Sequence, residues 1–458
     1  MFEEQLKELC RKLKPILGRK ADSLWLAYLA SETPQAKRET EMLIQLMAAR
    51  HLDTKVDDQS ILLPPPTEED ALGELLLGQI MYGKKASHPL YLRRENFIKH
   101  IGIFSITGGG KTNVAQNLLL GLLSKDIPWL VLDWKRSYRA LYTLNYPNVR
   151  KVQIYSVGRK TVSTFNWNPL RGPPGVHPRT WISVVAEVLE KSHISGQGSG
   201  HIFMELFDKV FERFGFYDGT ADKFPNFYDA NEELQKEQFK GRKMLWQDTC
   251  LRILATFCFG PAAGAFNARH PIRLEDLLGK PVIIELDQEL PKPLRVFFSE
   301  IILRWIHLYR LAQGETDELR HVTILEEVHN LFPKTLIEKQ TSNSLENVFR
   351  EIRGFGEGLV NITQHPSLLP IYILGNCNTL IILGLQHEDD IFTAKNALFL
   401  NKGEEVFLDR LRVGEGIVKI KNRINPCHVR FPLVPIKKGV VTDDFTAGGD
   451  STSKKSVD

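Results

Sequence analysis

"GIFSITGGGKTNVAQNLLL" occupies residues 102–120, and its reading decides the fold. A short apolar run meets a glycine-rich turn, and a Lys-Thr pair opens a helical pattern. The phosphate-loop pattern G-x-x-x-x-G-K-[ST] needs glycines because backbone N–H groups must come close to phosphate oxygens. Its lysine neutralises the β/γ-phosphates, and its hydroxyl ligates Mg²⁺. Ser105, Gly108, Gly109, Gly110, Lys111 and Thr112 fill the pattern, with Ser105 where the first glycine is expected. That position ends the strand, furthest from the phosphates, and a serine serves there if its φ is negative. With their neighbours they give a predicted nucleotide-binding set of Thr107, Gly108, Gly109, Gly110, Lys111, Thr112 and Asn113. A glycine-rich strand–helix turn without a ligand is the alternative. The strand before, the helix after and a second buried strand ending in Asp133 argue against it.

The chain has 458 residues, more than one ordinary core holds. Hydrophobic residues make up 43% and charged residues 25%, a globular composition, and the net charge of +4 leaves no global basic field. A nucleic-acid surface therefore has to be local. Five scattered cysteines with no CxxC pair argue for a reducing compartment and against a disulfide framework or a zinc site. The N-terminal "MFEEQLKELCRKLKPIL" reads as an amphipathic helix, not a signal peptide. No apolar run approaches the roughly 20 residues that span a bilayer. A soluble cytoplasmic protein with no membrane partner is expected.

Residues 1–60 read as helices, with Leu6, Leu9, Leu13 and Ile16 at helical spacing. This segment carries ten Lys/Arg and ten Asp/Glu, so it suits docking or assembly better than a DNA arm. Residues 61–87 read as a stiff linker followed by a short helix over 68–80, capped by Thr67. From 88 to 176 strand and helix patterns alternate, as in a parallel sheet with covered faces. Residues 177–270 are mostly helical, with a Gly/Ser loop at 195–200, and read as an insertion. Strand patterns resume over 271–435, and the tail 436–458 is polar and expected to be disordered. The expected fold is α/β: a P-loop, RecA-like, mostly parallel sheet with a helical insertion and an N-terminal helical region.

Hydrolysis of a bound nucleotide requires an acidic strand end to hold Mg²⁺ and a group to orient the attacking water. "HVTILEEVHN" (321–330) offers Glu326 on the metal side, where aspartate is usual, and Glu327 as the base. Gln364 ends a later apolar run, where an amide can contact the γ-phosphate or water. Arg353, on the helix before that run, could reach a neighbouring subunit's γ-phosphate as an arginine finger. Arg350, one turn earlier, is the rival, and a surface salt bridge with Glu346 or Glu351 is the plain alternative for either. "PKTLIEKQTSN" (333–343) follows directly, and its Lys334 and Lys339 are candidate phosphate-backbone contacts unless the loop is simply solvated. "SHISGQGSGH" (192–201), uncharged apart from its histidines, is a second candidate.

"ITGGGKTN", "VLDWKRSY" (131–138), "FNWNPL" (165–170), "ILEEVHN", "REIRGFGEGLVNITQHPS" and "LRVGEGIVKI" (411–420) together resemble the HerA/FtsK superfamily, in its order and across residues 88–435. The resemblance is nearest to HerA-type ATPases. It implies ATP and Mg²⁺ as cofactors, a homohexameric ring, double-stranded DNA as the translocated partner, and a nuclease or other effector protein. It assigns roles to Lys111, Thr112, Glu326, Glu327, Gln364 and Arg353. HerA proteins usually open with a small β-barrel, whereas residues 1–60 read as helices. A nucleotide-gated scaffold with little translocation and a conjugation or packaging ATPase are the competing readings.

Overall fold

The computed structural model describes residues 3–52, 61–158, 163–221, 223–332, 344–437 and 439. The tail from 440 onward, which carries the expectation of disorder, lies outside them. In chain order the described strands are β1 (Leu75–Tyr82), β2 (Lys85–Leu92), β3 (Ile101–Phe104), β4 (Trp129–Asp133), β5 (Gln153–Val157) and β6 (Pro281–Leu286). They continue with β7 (Thr316–Leu325), β8 (Phe355–Thr363), β9 (Thr379–Ile382), β10 (Glu415–Ile420) and β11 (Ile424–Arg430). The chain forms two compact units. One comprises Met1–Arg93, Ser105–Gly110 and Thr379–Leu433, the other Arg94–Phe104, Lys111–Asn378 and Val434–Asp458.

The larger unit is built on parallel strands in the order β3-β8-β7-β4-β6-β5. Every residue of β3, β4 and β8 is buried. Near-continuous apolar runs are what strands covered on both faces require. The helices Lys111–Ser124 and Lys292–Gln313 supply much of the cover. The insertion contributes the helices Pro178–His193, Gln197–Arg213, Phe227–Lys236, Arg242–Phe257 and Gly260–Phe266. Its core joins the Lys292–Gln313 helix through aromatic rings. Phe257 lies with its ring centroid 4.8 Å from Phe227 and 4.8 Å from Phe297, edge-on to the latter.

The Gly/Ser stretch 195–200 is not a free loop, since the helix Gln197–Arg213 begins inside it. A Cβ on Gly198 would sit 2.2 Å from the Trp246 ring, and one on Gly200 would sit 2.0 Å from the Glu190 carboxylate. The glycines are there because neighbouring side chains press against the helix, not because the chain must flex.

In the smaller unit, the helices Glu3–Leu17, Arg19–Leu29 and Pro34–Leu52 pack together. One cluster buries Leu6, Cys10, Tyr28 and Ile44, and another Leu13, Ala21, Ala48 and Leu52 with Tyr82 of β1. The Tyr82 hydroxyl donates to the carbonyl of Lys12 at 2.6 Å, tying the helices to the strand. The strands run antiparallel in the order β2-β1-β11-β10-β9. The helix expected over 68–80 stops at Ala71, capped by Thr67 as read, and β1 with β2 forms a hairpin where linker and lead-in were expected. Gly78 explains the difference. A Cβ there would meet the carbonyl oxygen of Arg430 at 2.6 Å, so the residue serves a close strand approach.

A buried charge cluster links β7, β8 and the Lys292–Gln313 helix. The Glu357 carboxylate lies 2.6 Å from His321 Nδ1, accepts from the Thr323 hydroxyl at 2.7 Å and from Arg310 Nε at 3.0 Å. Burial pushes this carboxyl up, but His321, Arg310 and Thr323 outweigh it and hold it below the ordinary value. A depressed folded-state value stabilises the protein above the unfolded-state pKa of about 4.3, and this contribution is lost as pH falls through the folded one. Glu357→Ala should therefore destabilise by about 3–5 kcal/mol at neutral pH, because it strands buried cations. Urea unfolding should show the deficit shrinking in acid.

Candidate nucleotide site

The loop Ser105–Gly110 follows β3 and leads into the helix Lys111–Ser124. Gly108 and Gly110 have φ of +82° and +108°, which only glycine adopts freely. Ser105 is fully buried and its φ is not positive. Its hydroxyl donates to the Ile106 carbonyl at 3.1 Å and lies 2.0 Å from where a Cβ on Gly109 would stand. The serine thus fills the floor of the loop and makes glycine obligatory at 109. The Ile106 N–H donates to the Gly384 carbonyl at 3.0 Å, pinning the loop's start.

Parallel register sets the acidic side of the site. Leu132 of β4 pairs with Leu325 of β7, and Leu325 pairs with Asn361 of β8. The residues that follow these strands therefore emerge together. Asp133 accepts the backbone N–H groups of Lys135 and Tyr138 at 3.0 and 3.1 Å, curling the chain after β4. Tyr138 in turn donates to Glu326 Oε1 at 3.2 Å. Glu326 Oε2 is buried with no hydrogen-bond partner among the described residues. Burial first, then the Asp133 carboxyl beside it, raises Glu326 well above the ordinary carboxylate value. Burial and Glu285 raise Asp133 likewise.

Glu327 sits in the left-handed region with φ 47°, which turns its side chain away from the path of β7. Its Oε1 receives both the Lys135 ammonium and Gln364 Nε2, the latter at 2.7 Å. His329 Nδ1 lies 3.4 Å from Oε2 and 2.8 Å from the Thr363 hydroxyl. Burial opposes ionisation of Glu327, but Lys135 and Gln364 prevail and lower its pKa. Lys111 is half-buried, and burial pulls its ammonium down to about 8, partly opposed by Glu327.

Lys111, Glu326, Glu327 and Gln364 are thus gathered on one unit, with Thr112 half-buried beside Lys111. Asn113 Oδ1 accepts the Val434 N–H at 2.9 Å. Thr107 is exposed on the loop. Arg353 lies in the short turn before β8, nine residues of strand from Gln364. At ~3.3 Å per residue that is roughly 30 Å, too far to reach the same site. Arg353 is exposed and forms no ion pair among the described residues, whereas Arg350 pairs with Glu346 at 3.5 Å. Lys334 and Lys339 lie outside the described residues. The sequence reading placed Asp133, Lys135 and Tyr138 in a family-like strand without a part in the site. The contact of Lys135 with Glu327 spans 192 positions, so no local pattern carries it.

The packing of Ser105 under Gly109 yields a test. Gly109→Ala should abolish nucleotide binding by forcing the loop open, and Ser105→Gly added to it should restore at least part of the affinity. Calorimetric titration with ATP on the two variants checks this.

Residues 73–175 match the family model "Helicase HerA, central domain". The chain is 24% identical over 369 residues to the probable DNA double-strand break repair helicase HerA of Methanocaldococcus jannaschii, covering 72% of this chain and 71% of that protein. Among solved structures, VirB4 of Thermoanaerobacter pseudethanolicus superposes with a TM-score of 0.59 at 15% identity, covering 79% of this chain and 97% of that one. The plasmid coupling protein TrwB in complex with ADP and Mg²⁺ superposes at 0.58 and 12% identity, covering 78% and 90%. These last two likenesses concern the fold, which is α/β with a RecA-like, mostly parallel sheet. Within residues 73–175 this chain is thus similar to the central domain of HerA helicases, and beyond them it shares a RecA-like fold with VirB4 and TrwB.

Proposed function

We propose that this protein hydrolyses ATP to move double-stranded DNA, acting as a homohexameric ring. The observation that carries the reading is the convergence of Lys111, Glu326, Glu327 and Gln364 on one unit, with Lys111 opening the helix that follows a glycine loop in the chain. Lys111 and the loop N–H groups hold the β/γ-phosphates. Glu327 orients and deprotonates the attacking water, and Gln364 positions Glu327 and senses the γ-phosphate. The HerA relative and the HerA central domain support DNA as the partner.

The donors suit Mg²⁺. Thr112 and Glu326 offer hard oxygens, and Glu326 Oε2 is buried without a hydrogen-bond partner among the described residues. Among the described residues no three His, Cys, Asp or Glu form a metal cage. That fits a cation that takes one or two carboxylates together with substrate phosphates. When bound, Mg²⁺ neutralises phosphate charge. Thr112 and Glu326 would hold it, and Tyr138 and Asp133 lie against Glu326.

Arg353, far from Gln364 along β8 and in no ion pair among the described residues, suits a finger that completes a neighbour's site. The N-terminal helices leave Leu26, Met42 and Leu46 more than half exposed, at 63%, 65% and 61%. Such a surface suits ring assembly or docking of a nuclease or other effector. No single helix among the described residues is long and apolar enough to cross a membrane.

Glu327→Gln should bind ATP near parental affinity while turnover falls at least a hundredfold, measured with and without linear duplex DNA. Turnover unstimulated by duplex in the parent would favour a nucleotide-gated scaffold over a motor. Mixing Arg353→Ala subunits into parent rings should lower activity more than dilution does. A protein that stays monomeric by light scattering with ATP would remove the ring.

A further inference from the structure

The turn between Arg412 and Glu415 lies against the phosphate loop within the smaller unit. A Cβ on Gly110 would stand 3.6 Å from the Gly414 nitrogen and 3.9 Å from its Cα. The Glu415 N–H closes the turn on the Arg412 carbonyl at 2.9 Å, with Gly414 at φ +86° in the third position. That is the geometry of a type II turn, which requires glycine there. The turn is held from behind. The Phe431 N–H donates to the Gly414 carbonyl at 2.8 Å. The Glu415 carboxylate accepts from Arg430 Nη2 at 2.9 Å and lies 3.3 Å from His428 Nε2.

Such anchoring contrasts with what the turn presents. Arg412 is exposed, and its guanidinium has no hydrogen bond or ion pair among the described residues. Val413 beside it is 78% exposed. Gly414 has open space on the side where a side chain would stand. A fixed turn with a free guanidinium, two residues from the atom that touches the loop, is placed to meet an anion held by that loop. A planar guanidinium binds phosphate oxygens in pairs and stays charged at any working pH.

We infer that Arg412 is a further nucleotide-binding residue, contacting the phosphate chain held by the Ser105–Gly110 loop of the same subunit. The inference rests on the nucleotide reading above. It differs in role from Arg353, which would act between subunits. Because the contact is to phosphate, it does not distinguish one nucleobase from another.

The test compares Arg412→Ala and Arg412→Lys with the parent, using calorimetry with ATP and with GTP and Mg²⁺ present. Arg412→Ala should weaken ATP about tenfold, the usual scale for a charged phosphate contact, and GTP by the same factor. Arg412→Lys should recover part of the loss. Because Arg412 is exposed, thermal unfolding of both variants should match the parent. Parental ATP affinity and turnover in Arg412→Ala would overturn the inference while leaving the site reading intact. A loss confined to ATP would overturn the phosphate contact in favour of a base contact. A parent that binds neither nucleotide would remove the site reading and this inference together.

Discussion

Three parallel strands in register set the terms for everything near the site. Adjacent strands lie about 4.8 Å apart. Pairing Leu132 with Leu325 and Leu325 with Asn361 leaves the chain segments after β4, β7 and β8 no choice but to meet. Carboxyl groups from two of them then share a poorly hydrated space. The protein answers this crowding in two ways. Glu326 is pushed toward its neutral form beside Asp133, and Glu327 is kept charged by an ammonium and an amide. Two adjacent glutamates are thus pushed in opposite directions, one toward its neutral and one toward its charged form, the kind of separation that acid–base chemistry exploits.

The state described is one in which Glu327 is occupied. Lys135 and Gln364 both bond to one of its oxygens. A carboxylate so engaged has little basicity to offer a water molecule. Turnover on the proposed reading therefore needs these partners to give way in part. On that reading Gln364, whose amide bonds to Glu327, is the intermediary between ligand and base.

The strands of the larger unit were legible because burial on both faces leaves unbroken apolar runs such as "PWLVLDW" and "GLVNITQ". The phosphate loop was legible because its glycines do something that no other residue does. The same short apolar run misled at "ELLLGQI", where period alone cannot separate strand from helix and the deciding fact is the Arg430 backbone far along the chain. Glycines misled at 195–200 because flexibility and close packing ask for the same residue. Lys135 escaped notice as a partner of Glu327 because its meaning depends on strand order, which local sequence does not state. The proposed roles of Arg353 and Gln364 came from motif order, and the structure adds their separation along β8.

The bond from the Val434 N–H to Asn113 joins residues 321 positions apart, and the Lys437 N–H donates to the Thr143 hydroxyl at 3.0 Å. The helix that opens after the phosphate loop is thus strapped by one of the last described segments of the chain. During synthesis at about 5–20 residues per second, that helix waits some tens of seconds for its strap. Through this interval the ribosome holds a nascent larger unit whose nucleotide helix is formed but unlatched. Contacts of such long range are slow to close and leave apolar strands uncovered meanwhile. Translation speed between residues 113 and 434 thus sets how long this strap stays open.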